Sequence, residues 1–435
     1  MQRAGLTVAG AFFALSVILS GVLPLWLDEI IQLRETRGTS PAQLIHSLPN
    51  QPGAAPLGYL IQQTAMRLTG YSVRWARFPS ALFVAGAVWI VALLGTDFGL
   101  KKAWGSAALF AILPVTLRYG CESRVYSQAL LFSTLATFLF VRLMKNPGWL
   151  FGVLYCLTLI AAVFTQPYAV FVGVAHLLVA PGKVRGYAVA GVALAGVAFL
   201  PWYLWAKSIW AAGVAGAGLH FVLSAKTPLM LFREVAGAGY WGSGLLLILC
   251  WLAFTRRGQP DRIGETPGLV LLGSLIVVPA LLALAADATF GYFVATRQIL
   301  WVVPAIAILA AMGIDRSPRI GLPVVAVLAA FCLWQGFRDF TAPRENWDIA
   351  ATAIADEVRQ GACLEVVPAE QRYSYEFFRP ELSQSRCPAP HVTVAITPYA
   401  TPGKREAALA ALTAQGYTRQ STTMRGKTEI ILLSH

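Results

Sequence analysis

From about residue 4 to about residue 337 the chain reads as long apolar runs separated by short polar loops. Candidate spans lie at about 4–26, 77–95, 104–119, 126–143, 150–165, 167–180, 187–206, 241–255, 267–286, 298–313 and 320–337. Apolar runs of this kind match the thickness of a hydrocarbon core. The pattern predicts an all-α polytopic membrane protein with about eleven transmembrane helices. Alternating strand-sized segments are absent from this region, which excludes an outer-membrane barrel. The first run, about 22 residues behind Arg3, has the length of a span rather than of a signal-peptide core. No A-x-A cleavage pattern follows it, so it is expected to remain as the first span.

Two other stretches break the rhythm. In the long 27–76 loop, "PLGYLIQQTAMRLTG" places Leu57, Leu60, Ile61, Thr64 and Leu68 on one helical face with polar residues opposite. This predicts a short amphipathic helix lying on the membrane surface, preceded by the turn-rich "SLPNQPGAAP". From about residue 341 the pattern becomes that of a small α/β domain of about 90 residues. "NWDIAATAIADEVRQG" reads as a helix capped by Asn346, "CLEVVP" and "HVTVAI" as buried strands, "PGKREAALAALTAQG" as a helix closed by glycine, and "KTEIILLS" as a last strand. The expected domains are therefore a transmembrane domain, 1–340, and an α/β domain, 341–435.

Composition agrees with this reading and charge adds sidedness. Of 435 residues, 57% are hydrophobic and 13% charged, about half the charged share of a soluble protein. The net charge of +13 does not indicate nucleic acid, because the cations are scattered among short loops next to spans. With the N-terminus cytoplasmic, every inner loop is basic: Arg3, Lys101, Lys102, Arg142, Lys145, Lys183, Arg185, Arg256, Arg257, Arg262, Arg316 and Arg319 outnumber Asp97, Asp261, Glu265 and Asp315. An odd number of spans then puts the 27–76 loop, the 207–240 loop and the C-terminal domain outside the membrane. Of the six cysteines, Cys363 and Cys387 share the outer domain and are a disulfide candidate in an oxidising compartment. No C-x-x-C or histidine cluster signals a metal.

The chemistry gathers where spans meet the outer surface. "PLWLDEIIQL", residues 24–33, puts Asp28 and Glu29 there, and "CESRVY" adds Glu122, Arg124 and Tyr126. Arg74, Arg77 and Arg118, "TQPY" with Tyr168, and "YFVATRQ" with Tyr292, Arg297 and Gln298 complete the set. A lone arginine at this depth is ordinarily a snorkelling anchor, whereas carboxylates are poor anchors and point to function. Adjacent helical residues point about 100° apart, so Asp28 and Glu29 cannot face each other, and Glu122 is the natural second acid. A carboxylate that takes a proton from a hydroxyl, beside arginines that grip a phosphate, suits group transfer from a lipid-linked phosphate.

These residues carry a resemblance. "WLDEI", "PLGYL", "RFPSALF" (77–83), "ESRVY" (122–126), "YFVATRQILWVVP" (292–304) and "ENWDIAATAI" (345–354) are similar, in order and spacing, to motifs of the GT-C glycosyltransferases. The resemblance is to the bacterial branch related to protein mannosyltransferases, the aminoarabinose transferase of lipid A and the lipid A/core galacturonosyltransferases. It implies transfer of a sugar from a polyprenyl-phosphate donor to a hydroxyl of a lipid, glycan or protein acceptor, on the outer side of the membrane. It implies Asp28 as general base and Glu122 as second acid or acceptor contact. Arg124 and Arg297 become donor-phosphate ligands, with Arg77, Tyr126, Tyr168 and Tyr292 as further substrate contacts. Two departures, "GAAPL" where a histidine often precedes P-L-x-Y-L and "QPY" where His-Tyr is frequent, leave a divalent metal and the sugar open. A secondary transporter would carry acids and broken helices at mid-span and two related halves; the mid-spans here are apolar and no repeat is visible. A non-catalytic scaffold has no use for the D-E pair.

Overall fold

The structure, a computed structural model, describes residues 2–435 except 52, 71, 217–223, 256–264, 291–294, 343–344 and 386. Tyr292 and the basic loop carrying Arg256, Arg257 and Arg262 therefore lie outside the described residues. The chain divides into two compact units, one of Met1–Gly21 with Glu35–Arg338 and one of Val22–Arg34 with Asp339–His435. The segment that carries Asp28 and Glu29 belongs to the same unit as the residues from Asp339 onward.

In the first unit each of the eleven apolar stretches coincides with helix over most of its length. Among the described residues, six helices are long and apolar enough to cross a membrane: Arg3–Ser20, Val73–Asp97, Tyr126–Lys145, Gly182–Trp210, Pro267–Thr289 and Pro318–Thr341. The pair Lys226–Glu234 and Gly239–Thr255, bent by 78°, makes a seventh when taken as one span. The remaining stretches are shorter. Pro114 breaks the 104–119 stretch into Trp104–Ile112 and Pro114–Gly120. Trp149–Thr165 has 17 residues, Val170–Val179 has 10 and Val302–Arg316 has 15. Val302–Arg316 is buried along most of its length, so its apolarity reflects packing against protein as much as contact with lipid. Helix Pro318–Thr341 shows the opposite pattern, with Leu322, Leu333, Trp334 and Phe337 exposed.

Helix Val73–Asp97 packs on both Gln2–Ser20 and Tyr126–Lys145, and Gly239–Thr255 packs on Val302–Arg316. The latter crossing depends on Gly313, where a Cβ would fall 1.8 Å from the Leu249 carbonyl oxygen. Two polar groups inside the bundle are held by named partners. His176 hydrogen-bonds with Thr137 and Tyr155, each at 3.2 Å, and stacks on Phe140. Buried Asp97 accepts from Lys145 at 2.7 Å and lies 3.4 Å from Arg142, tying the ends of two spans.

The amphipathic helix forms as Pro56–Thr69, opened by Pro56 and closed by Gly70 at φ +76°. Its orientation has a physical reason. Gly58, Tyr59, Gln62, Gln63 and Met66 are buried, with Gln62 Nε2 donating to the Ala76 carbonyl and Gln63 Nε2 to Thr39. The polar side thus faces protein partners, whereas on the apolar side Leu57, Leu60 and Ile61 are half-buried and Leu68 is 81% exposed.

In the second unit a four-stranded sheet has the order β1-β2-β4-β3, with β1 Ala362–Val367, β2 His391–Ile396, β3 Thr418–Arg425 and β4 Thr428–Ser434. β1 and β2 are parallel, and the other pairings are antiparallel. Helix Trp347–Arg359 buries Trp347, Ala350, Ala351 and Ile354 against the sheet, and helix Pro402–Ala414 packs Leu409 and Leu412 onto the cluster of Val392, Val394, Ile431 and Leu433. Two tail expectations need correction. β3 was not anticipated, because "TRQSTTMR" is an exposed edge strand without apolar alternation. Asn346 occupies the N-cap position of its helix but makes no side-chain cap bond.

Cys363 and Cys387 form a disulfide with Cα atoms 5.3 Å apart, as their shared domain suggested. Converting both to serine is expected to lower the stability of this unit by about 3 kcal/mol, through the released loop entropy. Limited proteolysis of the tail at rising temperature reads this directly. Cleavage at the wild-type temperature in the double variant would contradict it.

Candidate active site

The first unit assembles a mixed cluster of acid, arginines and tyrosines around the start of helix Tyr126–Lys145. The turn that delivers it, residues 121–125, is fastened to helix Val73–Asp97 close to Pro79. There the Ala76 carbonyl accepts from Ser123 Oγ at 3.2 Å as well as from Gln62, and Ser127 Oγ meets Ser80 Oγ at 3.1 Å. Gly58 lets the amphipathic helix approach the same turn, since a Cβ there would lie 2.5 Å from Val125. These contacts bring "PLGYL", "RFPSALF" and "ESRVY" together.

On this frame Tyr126 is the focus. The Arg124 guanidinium stands 5.4 Å from its ring centroid and the Arg297 guanidinium 6.0 Å, although the two arginines are far apart in sequence. Tyr119 meets Tyr126 edge-on at 5.7 Å, and Glu122, Arg297 and Arg118 all act electrostatically on Tyr119. Glu122 is 5% exposed, whereas Arg124 and Arg297 are half-buried. The short turn Thr296–Ile299 carrying Arg297 packs against the turn Pro167–Ala169 carrying half-buried Tyr168. Arg77 differs from the other arginines. It is 1% exposed and donates from Nη1 to the Ser20 carbonyl at 2.8 Å, so it closes the end of helix Gln2–Ser20.

The second unit holds Asp28 and Glu29 on helix Leu27–Thr36, both in its first turn, where negative charge complements the helix dipole. As neighbours they diverge: Glu29 is 0% exposed, and Asp28 is half-buried. Nearby, Arg34 lies 4.9 Å from the Tyr373 ring centroid. Burial first, and then the acids Asp28 and Glu345, push the Tyr373 hydroxyl up to about 12, so it stays protonated and able to donate.

Several residues join these groups that the sequence did not single out. Glu234 Oε2 accepts from Thr296 Oγ1 at 3.2 Å, beside Arg297, and Asp287, 4% exposed, acts on Tyr168. An acid at the end of the apolar run 267–286 is the signal that marks Asp287. Glu345 is 5% exposed and accepts the Leu27 N–H through Oε2 at 2.7 Å, at the start of the acid-bearing helix. Among the described residues no group of three or more His, Cys, Asp and Glu gathers with metal-holding geometry.

Neither a protein-family model nor a curated protein matches the chain. Solved structures do. ArnT from Cupriavidus metallidurans superposes with a TM-score of 0.59 at 13% identity, covering 97% of this chain and 97% of that one in the apo state. Its complex with undecaprenyl phosphate matches equally, with 98% of this chain covered. The arabinofuranosyltransferase AftD from Mycobacteria matches at a TM-score of 0.53 and 13% identity, over 98% of this chain and 41% of its own. At this identity the likeness establishes the fold. The chain has the GT-C fold of these multi-pass membrane proteins.

Proposed function

We propose that this GT-C-fold protein is a glycosyltransferase of the bacterial inner membrane. It moves a sugar from a polyprenyl-phosphate donor to a hydroxyl of a lipid, glycan or protein on the outer side. The observation that carries this reading is the pair of guanidiniums, from Arg124 and Arg297, gathered over Tyr126 beside buried Glu122. Two arginines at one point can clasp a phosphate with charge-assisted, bidentate hydrogen bonds. Its fold relative ArnT has been solved with undecaprenyl phosphate, a ligand of the same chemistry.

In this reading the acceptor hydroxyl loses its proton to the Asp28 carboxylate as its oxygen bonds to the anomeric carbon. The bond from that carbon to the phosphate oxygen breaks at the same time. The arginines take up the charge that develops on the departing polyprenyl phosphate. A single displacement inverts the anomeric centre, so NMR of the product should show the configuration opposite to the donor's. Retention would require a covalent sugar on the enzyme and would overturn the single step.

The orientation follows from the basic inner loops. A periplasm-active phosphatase fused after His435 is expected to be active, and a reporter that works only in the cytoplasm to be silent. The reverse pattern would contradict the orientation.

A further inference from the structure

The helix that carries Asp28 is fastened to the C-terminal unit at both ends, and Glu345 holds the end nearest the acid. Glu345 Oε2 accepts the Leu27 N–H at 2.7 Å and also the indole N–H of Trp347, while Oε1 accepts the Tyr399 hydroxyl. Leu27 opens the helix Leu27–Thr36, so its N–H is one of those a helix cannot satisfy internally. A carboxylate is the best partner for that position, because it meets both the free donor and the positive end of the helix dipole. The carboxylate is itself fixed. Trp347 is 1% exposed, stacks parallel to Tyr399 with centroids 6.4 Å apart, and meets Tyr375 edge-on at 5.3 Å. At the other end of the helix Arg34 rests over Tyr373. Residues Val22–Arg34 and the tail accordingly form one compact unit.

We propose that Glu345 is a positioning residue, resting on the reading of Asp28 as general base: it sets the place and rotation of Asp28 by anchoring the amide immediately before it. The tail domain is then part of the reaction machinery, as the frame that holds the base. Glu345 need not touch substrate to do this. Each residue of slippage turns a helical side chain by about 100°, and misplacing a reacting group by about 1 Å costs on the order of 10²-fold in rate.

The test uses full-length protein in detergent or nanodiscs, with Glu345→Ala as the main variant. Alanine leaves the Leu27 N–H without its side-chain acceptor, and unchanged protection of β1 and β2 shows that the tail stays folded. Amides of residues 27–31 are expected to exchange with solvent roughly five- to tenfold faster, with β1 and β2 unchanged. With a turned-over polyprenyl-phosphate sugar, kcat should fall about 10- to 100-fold while KM for the donor stays within about twofold. Tyr399→Phe, which frees one carboxylate oxygen without touching the Leu27 bond, should shift both readouts the same way and by less. The exposed Glu381→Gln should shift neither. Unchanged exchange at residues 27–31 in Glu345→Ala would overturn the anchor, and faster exchange with wild-type kcat would overturn the positioning role. Wild-type protein inert towards every donor would instead overturn the functional reading, and the exchange measurement would still decide whether Glu345 anchors the helix.

Discussion

Asp28→Asn is expected to lower sugar transfer by at least about 10²–10⁴-fold while polyprenyl-phosphate binding survives, because in the proposed mechanism it removes the general base and leaves the phosphate ligands in place. Asn is nearly isosteric with Asp, and the position is only half-buried, so folding should tolerate it. Glu29 is not an equivalent choice. It is completely buried and, on the next position of the same helix, points about 100° away from Asp28. Turnover of the purified variant with a saturating donor reads the loss. Transfer at the wild-type rate would remove Asp28 from the mechanism.

Arg297→Ala should act on the other half of the reaction. A charge-assisted hydrogen bond contributes about 1.5–3 kcal/mol, so losing it should weaken undecaprenyl-phosphate binding by about 10- to 150-fold. Arg124→Ala should weaken binding in the same range, because both guanidiniums stand over Tyr126. Calorimetric titration of each variant with undecaprenyl phosphate gives the affinities. Wild-type affinity in both would show that the arginines hold the ring and not a phosphate.

Much of this was legible from residues alone, for physical reasons. Apolar runs must be helical in a membrane, because hydrocarbon offers the backbone no other hydrogen-bond partners. The number of true spans was less legible, since a short helix buried by protein, such as Val302–Arg316, is as apolar as one facing lipid. In the tail, β1, β2 and β4 announce themselves by Val, Ile and Leu, and β3 does not, because a polar edge strand is held by its ladder to β4 and the Gly426–Lys427 turn. At the site, interfacial carboxylates and arginines were visible as a class. Their grouping was only partly so. That Arg124 and Arg297 share Tyr126 depends on contacts across more than half the first unit, and Glu345 at the Leu27 amide depends on a contact 318 residues long. No local periodicity encodes such a pairing.

Glycosyl transfer itself is tested most directly by incubating the purified protein with a panel of polyprenyl-phosphate sugars, together with lipid, glycan and protein acceptors, and measuring released polyprenyl phosphate. Release by the wild type with at least one donor, abolished in Asp28→Asn, is the expected result. Donors left intact across the whole panel, or equal release by Asp28→Asn, would contradict it.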